Sequence, residues 1–318
     1  MRFPFDIDRS REFDVVGFGT NAVDFLIEVP EYPAFNSKVE LNDYVQAAGG
    51  EVATTMVGLQ RLGLKTTYVG AFGDDPSGAF GLRSLSDEGV DVEHARVVKG
   101  ARTQIAFIVI DSRNGERTVV WKRDKNLAFS AENAPIGIVS LASVLHLTAH
   151  DTEAALAMAQ TAKQSGTLVS IDVDKTFPGI EDLLSQVDLL IASSEFPSRL
   201  LGIDDHRNAL PEMAERFGCK ICGVTLGERG SLLFADGAFI ESVGYAVPGG
   251  CRDTTGAGDA FRVGLIYGLL NASSIEDAAQ YANAVAALKC RAVGARTSLP
   301  NEKMLQQFLD GQPDPAQM

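Results

Sequence analysis

The stretch "RDTTGAGDAFRVGLIYGLL" (252–270) runs a Gly-Ala-Gly turn and an aspartate straight into an apolar segment. The apolar residues of 260–270 predict a buried helix that begins at the turn. The first turn of a helix leaves its N–H groups unpaired at the positive end of the dipole. Gly256, Ala257 and Gly258 would therefore gather donors into an anion hole, with Asp259 beside it. That pairing suits phosphoryl transfer: the donors stabilise charge on the moving group, and the carboxylate takes the proton of the attacking hydroxyl. A Gly-rich turn whose acidic residue merely complements the dipole explains the same ten residues, and on this stretch alone both readings stand.

Working outward, six short apolar runs read as buried parallel strands: 14–19, 66–73, 144–149, 167–173, 188–193 and 221–227. Segments with apolar residues at three- and four-residue spacing lie between them, at 53–63, 77–89, 153–166 and 209–218, with glycine at or beyond their ends. This βαβα rhythm predicts a doubly wound, mainly parallel α/β sheet with helices on both faces. Segments 25–48 and 102–124 break the rhythm and read as extended strands, the second turning back at Asn114-Gly115. They are expected to form a small β-layer, a lid, inserted into one domain spanning 1–318. The tail 310–318 is expected to fray.

The 318 residues are 45% hydrophobic and 22% charged, an ordinary globular composition. A net charge of −14 argues against the basic face that a nucleic acid or an anionic membrane would require. No apolar run is long enough to span a bilayer, and the acid-containing N-terminus lacks a signal-peptide core, so a cytoplasmic location is expected. Cys219 and Cys222 form a CxxC that leads into a strand rather than opening a helix, which reads as buried thiols and not as a redox pair.

Together with "VTLGERGSLLF" (224–234), "AAGGEVATTMVGLQRLG" (47–63) and "YVGAFGDDPSG" (68–78), the "DTTGAGDAF" string resembles the PfkB, or ribokinase-like, carbohydrate kinase family over roughly residues 14–300. The resemblance implies a Rossmann-like domain with a β-sheet lid. It further implies an ATP-dependent sugar kinase that uses magnesium and, in many members, potassium. On that footing Asp259 is the catalytic base, with Gly256, Ala257 and Gly258 as anion hole. Asp24, Gly49 and Gly50 match the family's sugar-binding positions, and Glu51 and Thr54 stand where asparagines are common. Arg117 matches a basic residue that reaches from the lid. Thr225, Gly227, Gly230 and Asn283 match the nucleotide side, and Asp253, Thr255 and Ser298 the monovalent-cation site.

The family's NxxE magnesium motif is altered here. Ser193 and Phe196 occupy its ends, which leaves Glu195, one residue off, as the candidate to hold magnesium through water. "GERT" (115–118) and "LKC" (288–290) resemble the ketohexokinase-like branch and lean the acceptor toward a ketose. The resemblance also implies that the lid sheet pairs with the lid of a second copy to give a homodimer, which would protect the sheet's edges as well.

Several features point elsewhere. "GFGTNA" (17–22) has the start of a dinucleotide fingerprint but no helix signal after it. His94, His146, His150 and His206 show no metal-ligand spacing. Trp121 is open between stacking on a substrate and packing the lid. Two other functions compete with a sugar kinase: a nucleoside kinase of the same family, and a non-catalytic sensor on the kinase fold. Asp259 argues against the sensor, since a binder needs no proton acceptor there.

Overall fold

A computed structural model describes residues 1–312, so residues 313–318 of the expected frayed tail lie outside the described residues. Six strands run parallel in the order Ile221–Thr225, Leu189–Ser193, Leu168–Val173, Ala142–Thr148, Phe13–Phe18 and Thr66–Val69. Each expected run supplies one of them. Alternation explains why they read as continuous apolar stretches. Val15, Val144, Leu189 and Ile221 face one core, and Val16, Leu145, Leu190 and Val224 face the other. The first core is closed by the helices Glu51–Arg61, Ala257–Asn271 and Ile275–Lys289, the second by Thr152–Ser165 and His206–Phe217.

Two details differ from expectation. The run 66–73 is not one strand: Thr66–Val69 is the outermost strand of the sheet, so the chain can leave it, and Ala71–Gly73 pairs with Arg96–Val98 instead. The opposite edge is an antiparallel hairpin, Ser231–Ala235 and Ala238–Ser242. Its turn places Asp236 and Gly237 at φ 46° and 77°, the geometry of a tight two-residue hairpin.

The lid is a separate four-stranded sheet, in the order Asp43–Gly49, Ala22–Val29, Ile105–Asp111 and Arg117–Lys122. Its hairpin turns through Asn114 and Gly115 as the sequence predicts. Segment 17–22 ends one main-sheet strand and starts the first lid strand with no helix between, which removes the dinucleotide reading. His146 is a wholly buried core residue, pushed down to about 3 by burial and then by Arg262, with its Nδ1 3.2 Å from Ser170 Oγ. Cys219 and Cys222 are free and buried. Among the described residues, no helix is long and apolar enough to cross a membrane.

Candidate functional site

In an open parallel sheet, ligands gather beyond the carboxyl ends of the strands. Asp172 lies near the end of Leu168–Val173, Ser193 ends Leu189–Ser193 and Thr225 ends Ile221–Thr225. The helix Ala257–Asn271 starts at this rim. Gly256 caps it at φ 78°, with Ala295 packed so close that a Cβ would lie 2.8 Å from it. The expected three-donor anion hole needs one correction. The Ala257 N–H is spent on the Thr254 carbonyl at 3.1 Å, because residues 254–257 close a turn. Gly256 and Gly258 make no such bond among the described residues and remain the available donors.

Asp259 sits in the first helical turn. Burial, and next the charge of Asp172, push it up to about 7, against the pull of Arg262 and Arg117. A carboxylate held there is poised to accept a proton near neutral pH. Sequence reasoning missed both Asp172 and Arg262. Arg262 is almost wholly buried and ties the site together. It meets Asp172 Oδ1 at 2.7 Å, donates to the Ile191 carbonyl at 2.9 Å, and donates to the Gly258 carbonyl at 3.1 Å. Its place one turn after Asp259 on an otherwise apolar helix was the available signal.

On the acceptor side, Asp24 is buried, and burial pushes it up to about 6 against the pull of Arg296. Gly49 explains the need for the glycine pair: a Cβ there would lie 1.9 Å from Asp24 Oδ2. Gly50, at φ 90°, starts the helix that carries Glu51. Burial and the charges of Asp172, Asp259 and Asp174 hold Glu51 well above the usual carboxylate range. Its side chain, 35% exposed at the cleft, accepts a hydrogen bond from Thr20 Oγ1 at 3.1 Å and lies 3.5 Å from His150 Nδ1. His150 sits between the rings of Trp121, at 6.1 Å, and Phe177, at 5.2 Å, so Trp121 borders the cleft beside Glu51.

Thr54 does not face the acceptor as expected. It is fully buried, and its hydroxyl is held by Arg296 Nε at 3.3 Å. Arg296, which the sequence did not single out, also donates to the Gly49 carbonyl at 2.6 Å and to Ser84 Oγ at 3.1 Å. Arg117 does reach from the lid: it donates to Thr254 Oγ1 at 2.7 Å, while the Thr254 hydroxyl donates to the Gly115 carbonyl at 3.2 Å. The lid tip thus rests on the anion-hole loop.

Thr225, Gly227 and Gly230 form the loop after Ile221–Thr225. Leu226, Arg229, Ser231, Ser242 and Val243 line a cavity of about 420 Å³ beside it. A larger concavity of about 550 Å³ shares no residue with this site, and the chemistry rather than the size locates the function. Asn283 does not open onto the nucleotide side. Its buried amide donates to Ser231 Oγ and to the carbonyl and hydroxyl of Ser242, so it braces the strands beneath the loop. Glu195 is 68% exposed and pairs with Arg199 at 3.6 Å, one helical turn on, so its charge is directed at solvent and Arg199. Among the described residues no cluster of three or more metal-ligating side chains exists. A magnesium ion carried by nucleotide phosphates fits such a site, since that ion commonly takes only one or two protein carboxylates.

The potassium expectation fares differently. Asp253 is wholly buried, its carboxylate capped by the N–H groups of Thr255 and Gly294, both at 2.8 Å. The equally buried Lys289 ammonium donates to the Asp253 carbonyl at 2.7 Å and stands 3.6 Å from its Oδ2. Ser298 spends its hydroxyl on the Lys289 carbonyl. A second monovalent cation within about 4 Å of that ammonium would meet a repulsion of roughly 4 kcal/mol at an effective dielectric of about 20. These residues do not fit a free potassium ion.

The chain is 28% identical over 288 residues to an ATP-dependent ribose-1-phosphate kinase of Halopiger xanaduensis, covering 90% of this chain and 94% of that protein. It is 30% identical over 313 residues to fructokinase-1 of Oryza sativa subsp. japonica, covering 91% and 95%. A crystal structure of a putative ribokinase from Agrobacterium tumefaciens superposes with a TM-score of 0.85 at 26% identity, covering 94% of this chain and 99% of that one. The sequence pattern described as pfkB family carbohydrate kinase matches residues 13–302, and the chain belongs to that family of hydroxyl-directed phosphotransferases.

Proposed function

We propose that this chain transfers the γ-phosphoryl group of ATP to a primary hydroxyl of a small uncharged carbohydrate. The observation that carries the reading is Asp259, held at about 7 in the first turn of a buried helix beside the donors of Gly256 and Gly258. Asp24 and the Gly49–Gly50 backbone hold the acceptor, and Glu51 accepts a further hydroxyl. Asp259 takes the acceptor's proton as the new O–P bond forms and the bond to the leaving ADP oxygen breaks. The Gly256 and Gly258 N–H groups stabilise the charge on the transferred group. Thr225, Gly227 and Gly230 face the nucleotide. Magnesium bound to the ATP phosphates would neutralise their charge, and the lid carrying Arg117 excludes water.

The acceptor's charge follows from the cleft. Asp24, Glu51, Asp172, Asp174 and Asp259 act on one another there, while Arg262 and Arg296 are engaged by protein oxygens. An already phosphorylated sugar would enter a field of like charge, so a free ketose or pentose fits better than a sugar phosphate. A nucleoside is the second reading, favoured by the Trp121, His150 and Phe177 rings beside Glu51, which offer a base a stacking wall. The reading extends to a single cytoplasmic kinase domain that dimerises through the outer lid face. There Phe25 stacks on Phe107 at 5.2 Å and Tyr44 and Val120 stand exposed. ADP release measured against ketoses, pentoses, sugar phosphates and nucleosides tests the proposal; no stimulation by any of them would end it.

A further inference from the structure

We infer that Lys289 is a tethered monovalent cation, whose ammonium holds the 253–258 loop where a free ion would otherwise do so. The inference starts from an unusual burial. Lys289 and Asp253 are both fully enclosed, although lysine is among the residues least often buried whole. Lys289 ends the helix Ile275–Lys289, whose C-terminal carbonyls favour a positive charge. The ammonium donates to the Asp253 carbonyl at 2.7 Å and faces its carboxylate at 3.6 Å.

Two loops converge on this charge. The Cys290 carbonyl accepts the Arg252 N–H at 2.9 Å, and the Gly294 N–H meets the Asp253 carboxylate at 2.8 Å. Ser298 closes the ring by donating to the Lys289 carbonyl. Asp253 stands three residues before Gly256, so whatever fixes it also aims the anion-hole donors. Oxygen atoms from a carbonyl, a carboxylate and a helix end would coordinate a compact monovalent cation; here the side chain supplies the charge from within. Lys289 is therefore a positioning residue acting through the loop, and the enzyme needs no potassium.

The test uses the full chain in potassium chloride or tetramethylammonium chloride at equal ionic strength. It reads thermal melting, alone and with ADP, and the rate of ADP release with the best acceptor. Wild type is expected to change less than about twofold in rate and to show no potassium-specific rise in melting temperature, as linkage demands when no ion binds. Lys289→Ala is expected to lose at least about tenfold in rate without potassium, because Asp253 is left buried and unpaired. Its rate and melting temperature should both recover saturably with potassium and not with tetramethylammonium. Lys289→Met, which fills the space without charge, should lose rate and not recover.

A saturable potassium response of wild type would overturn the inference. So would a folded Lys289→Ala protein indifferent to potassium, or a Lys289→Met protein as active as wild type. If Lys289→Ala does not fold, the wild-type response and Lys289→Met decide. The melting arm needs no acceptor, so a failure of the kinase reading shows as absent ADP release and a failure of this inference as a potassium response.

Discussion

Asp259→Asn should make the protein more stable and nearly inactive. Burial and Asp172 raise Asp259 from the ordinary carboxylate value of 3.8 to about 7. The folded chain therefore keeps a proton that the unfolded chain releases, and stability falls as pH climbs from about 4 to about 7. At about 1.4 kcal/mol per pH unit, ionising this group above pH 7 costs the fold at most about 4 kcal/mol. Asp172 shares that charge and the cleft admits water, so about half, near 2 kcal/mol, is the working figure. Asparagine has the same shape and no charge, so the variant recovers that free energy. Urea denaturation at about pH 8 should show the variant more stable by about 2 kcal/mol, and the difference should shrink as pH falls and vanish below about pH 4, where Asp259 is protonated in the folded and the unfolded chain alike. ADP release should fall by roughly 10²–10⁴, the range of general-base catalysis. A variant no more stable than wild type at about pH 8, or a stability difference independent of pH, would refute the account of Asp259 as a strained base.

Three more outcomes follow from the same geometry. Below pH 7, kcat/KM should drop about tenfold per pH unit, because only ionised Asp259 accepts a proton, and a flat profile from pH 5 to 8 would exclude it as the base. Gly49→Ala places a Cβ 1.9 Å from Asp24 Oδ2 and should raise the acceptor KM about tenfold or more while leaving the ATP KM unchanged; initial rates with each substrate varied read the split. Arg262→Met strips Asp172 of its 2.7 Å partner and should cost roughly 3 kcal/mol in urea denaturation, and a loss below about 1 kcal/mol would mean that the pair is not holding the site.

The parallel sheet was legible because strands buried on both faces must be apolar throughout, and the six runs between 14 and 227 are. The edge hairpin 231–242 was less so, although Asp236-Gly237 is a hairpin turn signal, because the strand before it was read for its glycines rather than for its pairing. Asp24, Arg117 and Asp259 are picked out by their motifs, and in the structure Asp24 lies against Gly49, Asp259 in the first turn of Ala257–Asn271 and Arg117 on Thr254. Thr54 and Asn283 could not be placed this way, because the motif gives a position and not a direction. Both hydrogen-bond inward, to Arg296 and to the Ser231–Ser242 strands. His150 was dismissed for lacking a metal partner, yet its neighbour across the fold is Glu51, 99 residues earlier, a contact no spacing rule could reveal.

The residues that escaped the sequence share one physical role. Arg296, Arg262 and Lys289 are all nearly or wholly buried, and each donates to a backbone carbonyl of a glycine-rich motif: Arg296 to Gly49, and Arg262 and Lys289 to Gly258 and Asp253 of the 252–261 stretch. Each also sits near a carboxylate: Arg296 by Asp24, Arg262 by Asp172, Lys289 by Asp253. A glycine-rich loop close enough to touch a ligand has no side chain with which to fix itself, so its rigidity must come from elsewhere. Charged donors reach across the core for that purpose because a hydrogen bond to an ionised group is roughly twice as strong as a neutral one. With these three cations spent on backbone and carboxylates, the proposed reading leaves the phosphate to the N–H groups at the helix start. On that basis added salt should weaken nucleotide binding only slightly, since no mobile surface charge carries it. A steep salt dependence of the ADP dissociation constant would show instead that exposed cations such as Arg117 hold the phosphates.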